Sequence, residues 1–360
     1  MRVLTPLLLL AAACAPEAQP AAVTQPAPVG KPTPPSAEAK PVPAKADLPP
    51  RPRIHRPVMF DTPEADAIVS AMQIFPKSSA WNEDISERPV HPDSSKTVEA
   101  VGADKKFRFN QDMAFILVPP DQPKVPVKLT AYADESDPGP YPVPDNAPIE
   151  GWPIYYDGKT LDQVQRSSEE GDRHTIVVDP VGMLLYEFFV MRRTPEGWTA
   201  GCAAIFDMKT NTLRPRDWTS SDAAGLPIFP AVVRYDECER GMVEHAMRVT
   251  IRRTRKAYVY PATHQAGHGN DPAWPRMGER FRLRKDFDVT PYPPHVQAIL
   301  KGLKKYGMIV ADNGIEWAIS IAPDRRIRGL EVLNERPLRG RDFEVIVTTG
   351  EHEGPRAAGR

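Results

Sequence analysis

The chain has 360 residues with 46 basic and 47 acidic side chains, so no field of one sign surrounds it. Nucleic acid and anionic membrane surfaces therefore lose their usual electrostatic argument as partners. Proline is over-used at forty-two residues, with much of the excess before residue 58, and three cysteines are too few for a disulfide framework.

The start, MRVLTPLLLLAAAC, sets Arg2 before a short apolar run and three alanines. That pattern reads as a secretory signal over residues 1–13, too short to span a bilayer as a mature helix. Leu10-Ala11-Ala12-Ala13-Cys14 resembles the lipobox of bacterial lipoproteins, which implies cleavage before Cys14 and its lipidation. Ala11 departs from the pattern, which usually has Leu there. Cleavage after an Ala-x-Ala sequence, which would release the protein, is the alternative. The Ala/Pro-rich segment to residue 57 has almost no large apolar side chains and cannot offset its ordering entropy. It is expected to be an extended tether (14–57) behind a membrane anchor, in the cell envelope, followed by one exported domain over 58–360.

Within that domain, 65–75 has apolar residues at near-helical spacing, and 107–120 contains a strand ended by a proline pair. Alternation in 125–135 predicts a half-buried strand, and the proline-rich 137–153 a long loop. From Arg173 the pattern is β: HTIVVD, LLYEFFVMRR and WTAGCAAIFDM, separated by the turn sequences DPVG and TPEG. One or two strands follow in AMRVTIRRTRKAYVYPAT, whose basic side chains are expected to face solvent, and another in ERFRLRKDFDV. In 293–307, Val296, Ile299, Leu300 and Leu303 share a helical face that Gly307 ends. MIVADNG and EWAISIAP are expected to pair around Asp312-Asn313-Gly314. A short helix near 329–335 and the strand FEVIVTT complete the pattern. The fold class expected is mainly β, an antiparallel sandwich or jelly-roll-like core with a few peripheral helices. Cys202 and Cys238 are equally compatible with a bridge and with two buried thiols.

WNEDISERPVHPDS, GDRHTIVVD, WTSSDAAGLPIFP, RKAYVYPATH and KKYGMIVADNG are similar to segments of an uncharacterised group of exported bacterial proteins. The resemblance covers about residues 74–325. It implies export and a shared fold, and no activity.

Chemistry is expected first at EGDRHTIVVDPVGMLLYEFF (170–189). A turn at 180–183 puts Ile176 opposite Glu187, and a second hairpin puts Ala204 beside Glu187 and Cys202 beside Phe189. Asp172, His174 and Glu187 then share a face with Ile176 and Val178. A carboxylate–imidazole set suits general acid–base work, and Arg173 is the cation available to a uronate. A one-residue slip would turn Glu187 away. His264 and His268, in YPATHQAGHGNDP, have the spacing of metal ligands, though Pro261 and the glycines argue against a helix there. Trp218 and Trp274 lie on loops, where rings stack on sugars or plug the ends of a β core. The SSD of 220–222 reads as a helix cap and ADNG as a turn.

Together these point to an envelope-anchored protein acting on extracellular polysaccharide by hydrolase or lyase chemistry at Asp172, His174 and Glu187, with His264 close by. A glycan- or protein-binding envelope module without catalysis is the alternative. A hydrolase using a divalent metal at His264 and His268 is the second.

Overall fold

A computed structural model describes residues 53–352. The signal, Cys14 and most of the tether lie outside these residues. Among the described residues no helix is long and apolar enough to cross a membrane. Ile54, placed in the tether by composition, is buried in the core with Val58.

The first half holds β1 (Val58–Met59), α1 (Pro63–Ser70), α2 (Ser94–Val101), β2 (Arg108–Gln111), β3 (Phe115–Leu117), β4 (Val127–Leu129) and α3 (Leu161–Arg166). Then come β5 (Thr175–Asp179), β6 (Leu184–Phe189), β7 (Arg192–Thr194), β8 (Gly197–Ala200), β9 (Cys202–Asp207) and α4 (Tyr235–Arg240). The remainder is β10 (Met247–Thr250), β11 (Arg280–Leu283), α5 (Pro294–Lys305), β12 (Met308–Asp312), β13 (Ala318–Ile321), α6 (Val332–Glu335) and β14 (Phe343–Val345). The fold is mainly β. The strands form three sheets, ordered β1-β3-β5-β6-β9, β14-β11-β12-β10-β13-β2 and β4-β8-β7.

The hairpin register follows the pattern of the side chains: Ile176 faces Glu187, Glu187 faces Ala204, and Phe189 faces Cys202. Alternation decides which core each residue enters. Ile176, Val178 and Leu185 join a core that also takes in Val249, Phe281 and Ile309 of the second sheet. Val177, Tyr186 and Phe188 face the other way, toward Trp198 and Ala200. The even-numbered side of β5, to which His174 belongs, therefore looks toward the second sheet.

Pairing is mixed where antiparallel strands were expected. β3 runs parallel to β5, β10 to β12, β13 to β2 and β4 to β8. The expected hairpin at ADNG does not form, because β10 lies between β12 and β13. A strand of that central position is covered on both faces, and Arg248 in it is 2% exposed rather than solvated. WTAGCAAIFDM is two strands, broken at Gly201, that enter different sheets. α5 matches its periodicity: Val296, Ile299, Leu300 and Leu303 are buried, and Gly307 turns the chain at φ +68°. α2, α3 and α4 lack a long apolar stripe and owe their position to packing; α3 adds a Thr160–Gln163 capping box. Cys202 and Cys238 are free and buried.

Gly278 holds the second sheet to the 257–262 segment: its N–H donates to Val310 O at 2.8 Å, and a Cβ there would lie 1.9 Å from Val259 O. Its φ is +83°. Gly158 has φ +73° but open space around it. Gly158→Ala is expected to lower the melting temperature by about 2–4 °C, the cost of strained backbone alone. Gly278→Ala must also displace backbone, and a fall at least twice as large is expected in a thermal melt; equal falls would refute the close approach.

Candidate functional site

Gly171, with φ +130°, and Arg173, with φ +46°, turn the chain sharply into β5. Arg173 is inside the protein, donating to the carbonyls of Val164, Gln165 and Met191. At 1% exposure it ties α3 to the hairpin and offers no cation to a ligand.

His174, the next residue, is 2% exposed, and both ring nitrogens face acceptors. Nδ1 lies 3.0 Å from Glu150 Oε2 and Nε2 2.9 Å from the Ser221 carbonyl. A carbonyl only accepts, so Nε2 carries a proton. Nδ1 carries one too while Glu150 is ionised. Burial opposes the charged ring, yet the Glu150 carboxylate outweighs it and pushes the pKa up to about 10. Reciprocally, burial raises Glu150 but the His174 charge holds it below the usual range. An imidazolium has no lone pair with which to take a proton. His174 is thus a positioning residue for Glu150, which corrects its expected role as the acid–base group near neutral pH.

Ser221 leads into Asp222, which is 0% exposed and grips Arg248 through Nε at 2.9 Å and Nη2 at 2.6 Å. Arg248 Nη1 donates to Ser320 Oγ at 2.8 Å, and that hydroxyl is 3.4 Å from Asp112 Oδ2. Gly151 N–H donates to Asp112 O, closing the circuit beside Glu150. The result is one polar seam, Glu150–His174–Ser221 and Asp222–Arg248–Ser320–Asp112, joining the two large sheets across their core. Leaving one member of a buried pair without its partner costs about 3–5 kcal/mol.

Two carboxyl groups, Asp112 on the seam and Asp312 at 3.7 Å from Arg248, have their pKa values raised. Burial and then Glu150 push Asp112 up to about 8; burial and then Asp222 do the same to Asp312. The Asp312 side chain is 19% exposed and that of Glu150 22%, so both reach solvent. Asp112 is nearly sealed, and its Oδ1 has no partner among the described residues. Asp172 is exposed at the same place; its carboxylate, that of Glu150 and a His174 nitrogen lie within 4.8 Å of one another.

The remaining candidates divide. Glu187 is 0% exposed and accepts from Ile228 and Phe229 N–H at 2.8–2.9 Å, anchoring that turn. Burial lifts its pKa to about 7. It supports the site from behind and does not reach a substrate. His264 Nδ1 donates to Ala223 O at 2.7 Å, next to Asp222 in the chain, and Ala224 N–H donates to the carbonyl of Ala311, the residue before Asp312. Among the described residues, the one group of three potential metal ligands is Glu150, Asp172 and His174, so His264 and His268 do not form the expected pair-centred site. Trp218 and Trp274 are half-buried, beneath Arg214 at 5.6 Å and Arg253 at 5.8 Å.

Comparison with protein-family models, with curated proteins and with solved structures finds no match to this chain. The site is therefore read from its own chemistry.

The linkage of His174 to pH has a definite sign. Its folded pKa lies above the ordinary 6.5, so its contribution is complete below about pH 6.5 and is lost as pH rises toward 10. Urea unfolding at about pH 6, 8 and 10 is expected to show His174→Gln losing most against the native chain at pH 6 and least at pH 10. A constant difference would mean that the ring is neutral. Asp222→Asn is expected to cost about 3–5 kcal/mol in the same assay, as Arg248 loses its counter-charge.

Proposed function

We propose that this chain is an exported, envelope-anchored enzyme that cleaves extracellular polysaccharide by acid–base chemistry, with Asp312 as proton donor and Glu150 as the carboxylate base or nucleophile. The observation that carries the reading is that two partly exposed carboxyl groups, each subject to the charges of His174 and Arg248, are shifted in opposite directions, Glu150 down and Asp312 up. Such a division between two acids is what cleavage of a glycosidic bond uses. In this reading His174 and Arg248 fix the charges, Asp172 lines the mouth, and His264 is the further group within the site. The two larger sheets, which share a core, are read as the layers of a sandwich, with the site along their junction. Export, the lipid anchor at Cys14 and the choice of a carbohydrate rest on the signal-like start and the β-rich composition.

A metal-dependent reading has one observation in its favour, the Glu150, Asp172 and His174 group. His174 would have to release its Nδ1 proton to become a ligand, so the acid–base reading is preferred.

The full chain is to be incubated with neutral and uronate polysaccharides, with and without chelator, reading new reducing ends and unsaturated products. Cleavage lost by about 100-fold or more in Asp312→Asn and in Glu150→Gln, but kept in His91→Ala, is the expected result. Activity should fall as pH rises past about 8, where Asp312 gives up the proton it must donate. Chelator sensitivity would promote the metal reading, and no cleavage with retained glycan binding would favour a binding module.

A further inference from the structure

We infer that an open cationic groove beside β2 binds the carboxylates of a uronate-bearing polysaccharide, which names the substrate class of the reading above and rests on it. The groove has a volume of about 520 Å³. That is the size of a cleft for a short oligomer, well beyond what one inorganic ion fills. Lys105, Lys106 and Arg108 form one wall, and Arg252 and Arg253 the other, with Glu316 the single acid between them.

The charges do not cancel. Glu316 bonds Lys105 at 2.7 Å and lies 3.2 Å from Arg252, so one carboxylate serves two cations. Among the described residues, Lys106 and Arg108 are exposed and have no acidic partner. Arg253 is exposed too, and its guanidinium sits 5.8 Å over the Trp274 ring, which faces no acid there. In a chain of net charge −1, five cations to one acid in a single groove is a local concentration that the composition conceals. Three of the five are arginines, whose planar fork matches a carboxylate in two parallel hydrogen bonds. Ile315, 48% exposed on the groove, adds an apolar face for the C–H side of a sugar ring.

One strand runs from the groove to Asp112, whose main-chain carbonyl accepts from Gly151 beside the proposed base Glu150. Arg108 starts β2, and Asp112 immediately follows its end. At a strand's rise of roughly 3.3 Å per residue, the two lie about 13 Å apart. A linear polymer anchored at Arg108 would reach the neighbourhood of Asp112 and Glu150 within a few sugar units. A carboxylated chain fits better than a nucleic acid strand, because Trp274 is half-buried under Arg253 and, among the described residues that line the groove, none carries an aromatic ring for base stacking.

Affinity electrophoresis of the full chain tests this through binding alone. Gels contain polygalacturonate, a neutral dextran or a single-stranded oligodeoxythymidine. Retardation by polygalacturonate and not by dextran is expected, disappearing in about 1 M salt, where charges are screened beyond about 3 Å. A Lys106→Glu, Arg108→Glu chain is expected to bind at least about tenfold more weakly, with an unchanged melting temperature because both side chains are exposed. Glu150→Gln, which removes the proposed base, is expected to bind as the native chain does. Equal binding by the double variant overturns the groove, and equal retardation by the oligonucleotide overturns the glycan. Binding with these variant effects but no cleavage of any polymer would leave the groove standing and sink the catalytic reading instead.

Discussion

The buried pair of Asp222 and Arg248 is the contact on which the site depends. Arg248 occupies a central strand of the second sheet, where an apolar side chain would ordinarily stand. Its charge has to be met inside the protein, and Asp222 meets it with two hydrogen bonds. The consequence travels in both directions. Toward the first sheet, the loop that brings Asp222 also presents the Ser221 carbonyl to His174. Toward the second, the remaining guanidinium nitrogen fixes Ser320, and through it Asp112. A rigid cation with several fixed donors can organise four segments at once, which a lysine could not do.

That arrangement also explains why the pKa of Glu150 is lowered while those of Asp112 and Asp312 are raised. Burial alone would neutralise all of them. Glu150 escapes because an imidazolium faces it directly, whereas Asp112 and Asp312 each feel another acid before they feel Arg248. His174 is locked by two acceptors and supplies a fixed charge. Glu187 works one layer further back, holding the Ile228–Phe229 turn so that the Asp222 loop leaves in the right direction. Glu150 and the buried scaffold are thus one hydrogen-bonded system, with Asp312 3.7 Å from its Arg248.

The hairpin was legible because its register is a local property. The turn at 180–183 and the alternation of Ile176, Val178 and Leu185 leave one pairing that buries them together, and that pairing puts His174 and Glu187 on the inner side. The helix 294–305 was legible for the same reason, an apolar face at fixed spacing ended by a glycine. What escaped was every partner brought from far along the chain. Glu150 is 24 residues from His174 and lies in a proline-rich loop; Asp222 is 26 from Arg248; Asp112 is 208 from Ser320. Asp222 looked like a cap and Asp312 like part of a turn, since a short polar motif has the same appearance in either role. In the run RVTIRRTRK, Arg252, Arg253 and Lys256 are exposed as its pattern suggested, but Arg248 is buried, because alternation cannot reveal that both faces of a strand are covered.

The sequence by itself therefore determined a β-rich chain, the inner face of one hairpin and the place on it where ionisable groups collect, all from side-chain periodicity over a few residues. Only the tertiary structure decided which partners meet there, in which direction each carboxyl group is shifted and that Glu150 holds the His174 pKa up. Protonation depends on burial and on charges a few ångströms away, and those neighbours come from strands and loops whose order no local pattern encodes.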